Sequence, residues 1–247
     1  MKKFKLTSEF IVDISGVKLF RIKALIEFGN VKAGDLGGYI EKEENLSHMG
    51  DAWVSDDARI SGDARVSGNA WVFGNARVSG NAQVFGDAWV FGDAQVFGDA
   101  RVSGNARVFG NARVFGNAWV SGNARVSGDT QVFGDARVFG NAWVSGNARV
   151  FGDAQVFGNA RVSGDAQVFG DARVSGDKDY AYAHGFGSCN RTTTFFRLKD
   201  GDVGVRCGCF YGTLAQFRDK VCETHGETKK AQEYLMLADL MEIRFKN

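Results

Sequence analysis

One stretch decides what this chain can be. From Ala52 to Asp177 the sequence reads Ala-Xaa-Val-Zaa-Gly-Asp/Asn in twenty-one consecutive hexads without an insertion, as in Ala64-Arg-Val-Ser-Gly-Asn69 followed by Ala70-Trp-Val-Phe-Gly-Asn75. A fixed short period over half of the molecule predicts a solenoid, one unit copied and stacked. Within each hexad Ala and Val alternate with Xaa and Zaa, which is strand patterning with Ala and Val inward. The Gly-Asp/Asn pair supplies the bend, since Gly takes positive φ freely and Asp or Asn tolerates it. Three bends close a triangular coil of 18 residues, so 126 residues give seven coils. At a strand spacing of about 4.8 Å the prism is about 34 Å long.

The repeat resembles the bacterial hexapeptide-repeat family, whose chains form a left-handed parallel β-helix. Val66, Val72 and Val78 match its aliphatic position and Ala64, Ala70 and Ala76 its small inward position, with Thr130 the one exception. The expected fold is mainly β: a left-handed parallel β-helix of seven 18-residue coils, with a β-hairpin N-terminal cap and a small C-terminal α+β domain. The expected boundaries are 1–51 for the cap, 52–177 for the β-helix and 178–247 for the connector and C-terminal domain.

Stacking residue i over i+18 sorts the outward side chains into ladders. Trp53, Trp71, Trp89 and Trp143 share one face, and Phe97, Phe115, Phe133, Phe151 and Phe169 form an unbroken run along another. Such ladders either stack on themselves and shield the sheet, or form a contact surface larger than a soluble monomer usually leaves bare. Together they are the expected binding or oligomer face. The resemblance to β-helix proteins, commonly trimers, implies a homo-oligomer, trimer first and dimer second.

Charge excludes some partners. The whole chain carries +1, and the repeat has 11 Arg against 12 Asp, so no clustered positive footprint for nucleic acid exists. No apolar run approaches a membrane span. Lys2, Lys3 and Lys5 are not followed by an apolar segment with a cleavage site, so no signal peptide is expected. The four cysteines are then expected as thiols in a reducing bacterial cytoplasm.

Before the repeat, Phe10–Ile14 and Val17–Phe28 read as two strands around Ser15-Gly16, and Leu46-Ser-His-Met-Gly-Asp51 as a degenerate hexad with His48 in the inward valine position. After it, Asp179–Ser188 reads as a connector, Thr192–Leu198 and Val203–Tyr211 as a hairpin, and Thr213 with Gln216 as the capping box of a first helix ending at His225-Gly226. A second helix is expected from about Thr228 to Phe245, burying Tyr234, Leu237, Ala238, Leu240 and Met241.

Gly34-Asp-Leu-Gly-Gly-Tyr-Ile40, the repeat, Thr192-Thr-Thr-Phe-Phe-Arg197, Cys207-Gly-Cys-Phe-Tyr-Gly212 and Thr224-His-Gly226 occur in this order. The arrangement resembles proteins of bacteriophages and prophages that share the Gly-Gly-aromatic cap and the Cys-Gly-Cys-Phe domain. That resemblance implies a phage context and brings no activity with it.

Three chemistries bear on these residues. Cys207, Cys209, Cys222 and His225 are the candidate zinc set, but Cys-Gly-Cys on a strand differs from the usual knuckle spacing. Packed thiols explain them more simply, and no metal or cofactor is expected. Gly185, Gly187, Ser188 and Arg191 form a possible ligand loop, although it opens no helix. The β-helix resemblance implies acyl transfer through a histidine base, yet none of the three histidines lies in the repeat. The expected function is therefore a non-enzymatic, phage-encoded scaffold or binding protein that self-associates and binds or sequesters a host protein. An acyltransferase-like enzyme is the alternative.

Overall fold

The computed structural model describes residues 1–187 and 191–246. Twenty-one two-residue strands, from Trp53–Val54 to Arg173–Val174, wind into three parallel sheets. Each residue pairs with the one 18 positions on, as Trp89 does with Arg107 and Val90 with Val108. Every valine of the repeat is buried, and so is every alanine. Thr130, in an alanine position, is buried too; its hydroxyl donates to the Ser127 carbonyl at 2.5 Å. The inward hydroxyl is thereby satisfied inside a dry core.

The bends need glycine for two reasons. Gly98 has φ +71°, and a Cβ there would come within 3.1 Å of the Gly116 backbone in the next coil. Asp56 occupies the equivalent place in the first hexad and is the one non-glycine residue with positive φ among the described residues. Its carboxylate accepts from the Gly74 N–H at 3.0 Å.

The Asp/Asn position adds a second device. Asn75 Nδ2 donates to Asp93 Oδ1 at 3.0 Å, Asn111 to Asp129 at 2.8 Å and Asn147 to Asp165 at 2.9 Å, each one coil on. Alternating amide and carboxylate along a corner prevents like charges from stacking. On the corner that starts at Asp63, Asn81 pairs with Asp99 and Asn117 with Asp135, after which Asp153 and Asp171 follow with no amide between them.

The N-terminal end is closed by three strands. β1 (Phe4–Val12) pairs antiparallel with β2 (Lys18–Ala24), and β2 with β3 (Leu36–Ile40). β3 then pairs parallel with Arg59–Ile60 and starts the stack. β1 begins earlier than the sequence suggested, and β2 stops at Ala24 rather than Phe28, where the chain turns through a Phe28–Val31 bridge. Ile40 lies opposite Ile60 and Leu46 opposite Val66, a spacing of 20. Two extra residues between Leu46 and Val54 therefore make an incomplete leading turn, and the solenoid runs to about eight turns. This corrects the placement of His48: Leu46, 1% exposed, holds the inward aliphatic position.

Side chains complete the end. Asn45 Nδ2 donates to the Gly62 and Ala64 carbonyls at 3.0 and 2.8 Å. The Lys3 ammonium donates to Gly50 and Ala52 at 3.1 and 2.7 Å and lies 4.6 Å from the Phe28 ring centroid. At the opposite end the Arg161 N–H donates to Asp177 Oδ1 and the Gln167 N–H to Thr194 Oγ1. Backbone groups that a further coil would pair are thus met by specific side chains.

The C-terminal domain is a four-stranded antiparallel sheet with two helices. The stretch Tyr180–Phe186, expected as a connector, is its first strand, followed by Arg191–Arg197. The returning strand breaks at the Gly208 turn into Val203–Cys207 and Phe210–Thr213. α1 (Leu214–His225) carries the Thr213–Gln216 capping box, and α2 (Lys229–Phe245) is capped by Thr228. Strand Arg191–Arg197 is buried on both sides. Phe196 joins the solenoid core, while Phe195 packs with Phe217, Tyr234 and Met241. Leu240, expected on the buried side of α2, is exposed; Ala231 and Phe245 are buried instead.

Candidate functional site

The outward aromatics divide into two kinds. Phe97, Phe115, Phe133 and Phe151 stack at 4.8–4.9 Å with ring planes within 5° of parallel, a copy of the strand spacing. Phe73–Phe91–Phe109 and Phe139–Phe157 form two further stacks that the sequence reading did not single out. All of these rings are half-buried. At Phe169 the stack tilts, because Tyr211 meets that ring edge-on at 4.8 Å and the Arg206 guanidinium lies 5.5 Å from its centroid. The longest phenylalanine ladder thus ends as a docking seam for the C-terminal domain.

The tryptophans behave differently. Trp53 is 3% exposed, covered by the N-terminal cap with Phe28 edge-on at 5.4 Å. Trp89, Trp119 and Trp143 remain 40, 38 and 39% exposed. Trp119 and Trp143 donate their indole N–H to Ser103 and Ser127 at 3.0 and 3.1 Å, each a serine of the preceding coil. Trp89 has Phe73 edge-on at 6.1 Å and the Arg107 guanidinium 4.9 Å from its ring. Arg107 and Arg125 separate Trp89 from Trp143 along the face, so the apolar strip is interrupted by charge.

His48 has both ring nitrogens engaged. Nδ1 accepts from the Lys3 N–H at 3.2 Å, so Nε2 carries the proton and donates to Glu43 Oε1 at 2.6 Å. Its ring also stacks on Phe4 at 4.4 Å. An imidazole held this way has no lone pair to offer a substrate. Glu43 also bonds Lys2, and the Lys2 and His48 contacts hold its carboxyl below the usual range. His184 is bonded to Thr192 Oγ1 at 2.9 Å.

In the C-terminal domain, Cys207, Cys209 and His225 line one cavity of about 220 Å³ with Arg191 and Lys220. Arg191 lies against Gly208, close enough that a Cβ there would collide with its guanidinium. Cys207 accepts from Thr193 Oγ1 at 3.2 Å. Cys222 is exposed on α1. Among the described residues no three His, Cys, Asp or Glu side chains come together as a metal site, so the candidate zinc set is not assembled there. Of the possible ligand loop, Gly185 and Gly187 have positive φ and the Gly187 N–H donates to Glu233 at 2.8 Å. Ser188 lies outside the described residues. No described helix is long and apolar enough to cross a membrane.

The repeat matches the family model described as the YdcK Beta solenoid repeat, in segments 58–74, 70–86, 94–108, 106–122, 118–132, 130–146, 142–156 and 154–166. Most matched segments start twelve residues after the previous one, two hexads of the winding described above. The chain is a β-solenoid repeat protein. The match stops short of both end structures of this solenoid, residues 1–57 and 167–247. No curated protein matches the chain.

Proposed function

We propose that this β-solenoid protein is a non-enzymatic scaffold and binding protein, with the coil as a rigid support and its open tryptophans as contact surface. One observation carries the reading. The phenylalanines satisfy one another in half-buried stacks, whereas Trp89 and Trp143 keep about two fifths of their surface in water on one face. Large aromatic rings left open on a rigid element are the usual anchors of a binding surface. The resemblance to phage and prophage proteins makes a component of the bacterial host the expected partner, held or occluded in the cytoplasm. The acyltransferase alternative draws no support from His48, whose ring is fully engaged.

Self-association is the second reading, a trimer first and a dimer second, because a second copy would cover the same rings. Against a continuous seam stands the charge of Arg107 and Arg125 in the middle of the face. Light scattering at micromolar concentration separates the two. A monomer leaves the tryptophan face to a foreign partner. A trimer or dimer that Trp89→Glu with Trp143→Glu dissociates, with the coil intact by circular dichroism, assigns the face to self-association.

A further inference from the structure

The tryptophan face is concave at one place. Where the N-terminal cap rises beside the first coils, Trp71, Phe73 and Trp89 wall a cavity of about 640 Å³. Gly29 and Asn30 of the cap form the opposite wall, and Asp51, Asn69 and Asp87 run along its edge. A volume of this size falls within the range of small-molecule sites. Arg107 lies over Trp89 from the following coil, so the ring surface toward Trp71 is what the cavity presents.

Two polar groups in it are left open. In later coils the tryptophan indole donates to the serine sixteen residues earlier, as Trp119 does to Ser103 and Trp143 to Ser127. The equivalent pair here is Trp71 and Ser55, and both line the cavity. Among the described residues neither the Trp71 indole nor the Ser55 hydroxyl makes a hydrogen bond. Asp56 adds a third carboxylate to the lining, in a place where the other hexads have glycine.

We propose that this cavity binds a neutral pyranose sugar, an inference that rests on the scaffold reading and names a ligand for its tryptophan face. A pyranose has an apolar face of C–H groups, which matches an aromatic wall. Its hydroxyls both donate and accept, so they satisfy acceptor-only carboxylates and the donor-only indole together. Three carboxylates repel an anionic sugar. An alkylammonium cation would suit the rings and carboxylates but would leave the Trp71 N–H with nothing to accept it.

The test is saturation-transfer NMR on the full chain with the methyl glycosides of glucose, galactose, mannose, rhamnose and N-acetylglucosamine, and with choline chloride in a separate arm. The expected result is saturable transfer to the C–H protons of at least one glycoside and none to choline. Trp71→Arg and Asp56→Gly each install a residue that the repeat uses at that position elsewhere, which keeps the coil foldable. Either should weaken sugar binding by at least about tenfold, equivalent to about 1.4 kcal/mol, while Gln155→Arg, in another sheet of the coil, leaves it unchanged. Silence from all five glycosides, transfer to choline instead, or equal binding by Trp71→Arg overturns the inference. If the glycosides are silent while partner capture still depends on Trp89 and Trp143, the sugar falls and the scaffold reading stands.

Discussion

The Lys3 ammonium donates to the Ala52 carbonyl at 2.7 Å, a cation 1% exposed at the mouth of the solenoid. Burial lowers its pKa from 10.5 to about 8, partly offset by Asp51. A lysine whose pKa falls on folding holds its proton less tightly than in the unfolded chain. Between about pH 8 and 10.5 the unfolded state therefore binds more protons, and this group's contribution to stability rises with pH. Lys3→Met leaves the Gly50 and Ala52 carbonyls without their donor and should cost about 1–3 kcal/mol near neutrality. Its deficit against the parent should widen from pH 7.5 to pH 10, as measured by urea unfolding. A constant deficit would mean that the ammonium is solvated.

The inward and outward faces predict opposite sensitivities. Val120 is fully buried, so Val120→Asp should destabilise by about 3 kcal/mol or more, through an unpaired charge in a dry core. Arg113 is exposed and forms no ion pair among the described residues, so Arg113→Gln should change stability by well under about 1 kcal/mol. Thermal unfolding of the two variants checks both, and similar melting shifts would reverse the faces.

The Asp135–Asp153–Asp171 run breaks the amide–carboxylate alternation kept elsewhere on that corner. Asp153→Asn should let the new amide donate to Asp171 one coil on, as Asn117 does to Asp135, and stabilise by about 0.2–1 kcal/mol. The gain should shrink in high salt, because part of it is relief of like-charge repulsion. A melting temperature that does not rise at low salt would contradict the ladder account.

The thiols give a plain check on the C-terminal domain. With Cys222 exposed on α1 and no three ligands assembled among the described residues, the purified protein should carry no stoichiometric zinc. Chelator should leave its melting unchanged. One zinc per chain by elemental analysis would reinstate the cysteine set.

The coil was legible because its information is local. Ala64 and Val66 declare their inward direction within one hexad, and the period places every later residue. The leading turn was not, since the two residues inserted between Leu46 and Val54 shift the frame silently and moved His48 into a place that Leu46 holds. Strand Tyr180–Phe186 is hidden for a different reason: its alanines, His184 and Gly185 carry no strand-like apolar run, and antiparallel pairing with the next strand, Arg191–Arg197, fixes it as extended. The tryptophan ladder could be counted from the sequence, but its differences could not. Trp53 is covered by Phe28, and Trp71 faces a cavity only because Gly29 and Asn30 rise beside it.

Affinity capture with the full chain tests most directly the proposal that open tryptophans are the contact surface of a rigid scaffold. Parent protein and the Trp89→Glu, Trp143→Glu double variant are immobilised in parallel and exposed to bacterial host lysate, with retained proteins quantified by mass spectrometry. The prediction is a partner held by the parent and lost from the variant, while circular dichroism and melting show the same coil in both. Equal retention by the two proteins, or no retention by the parent, would contradict it.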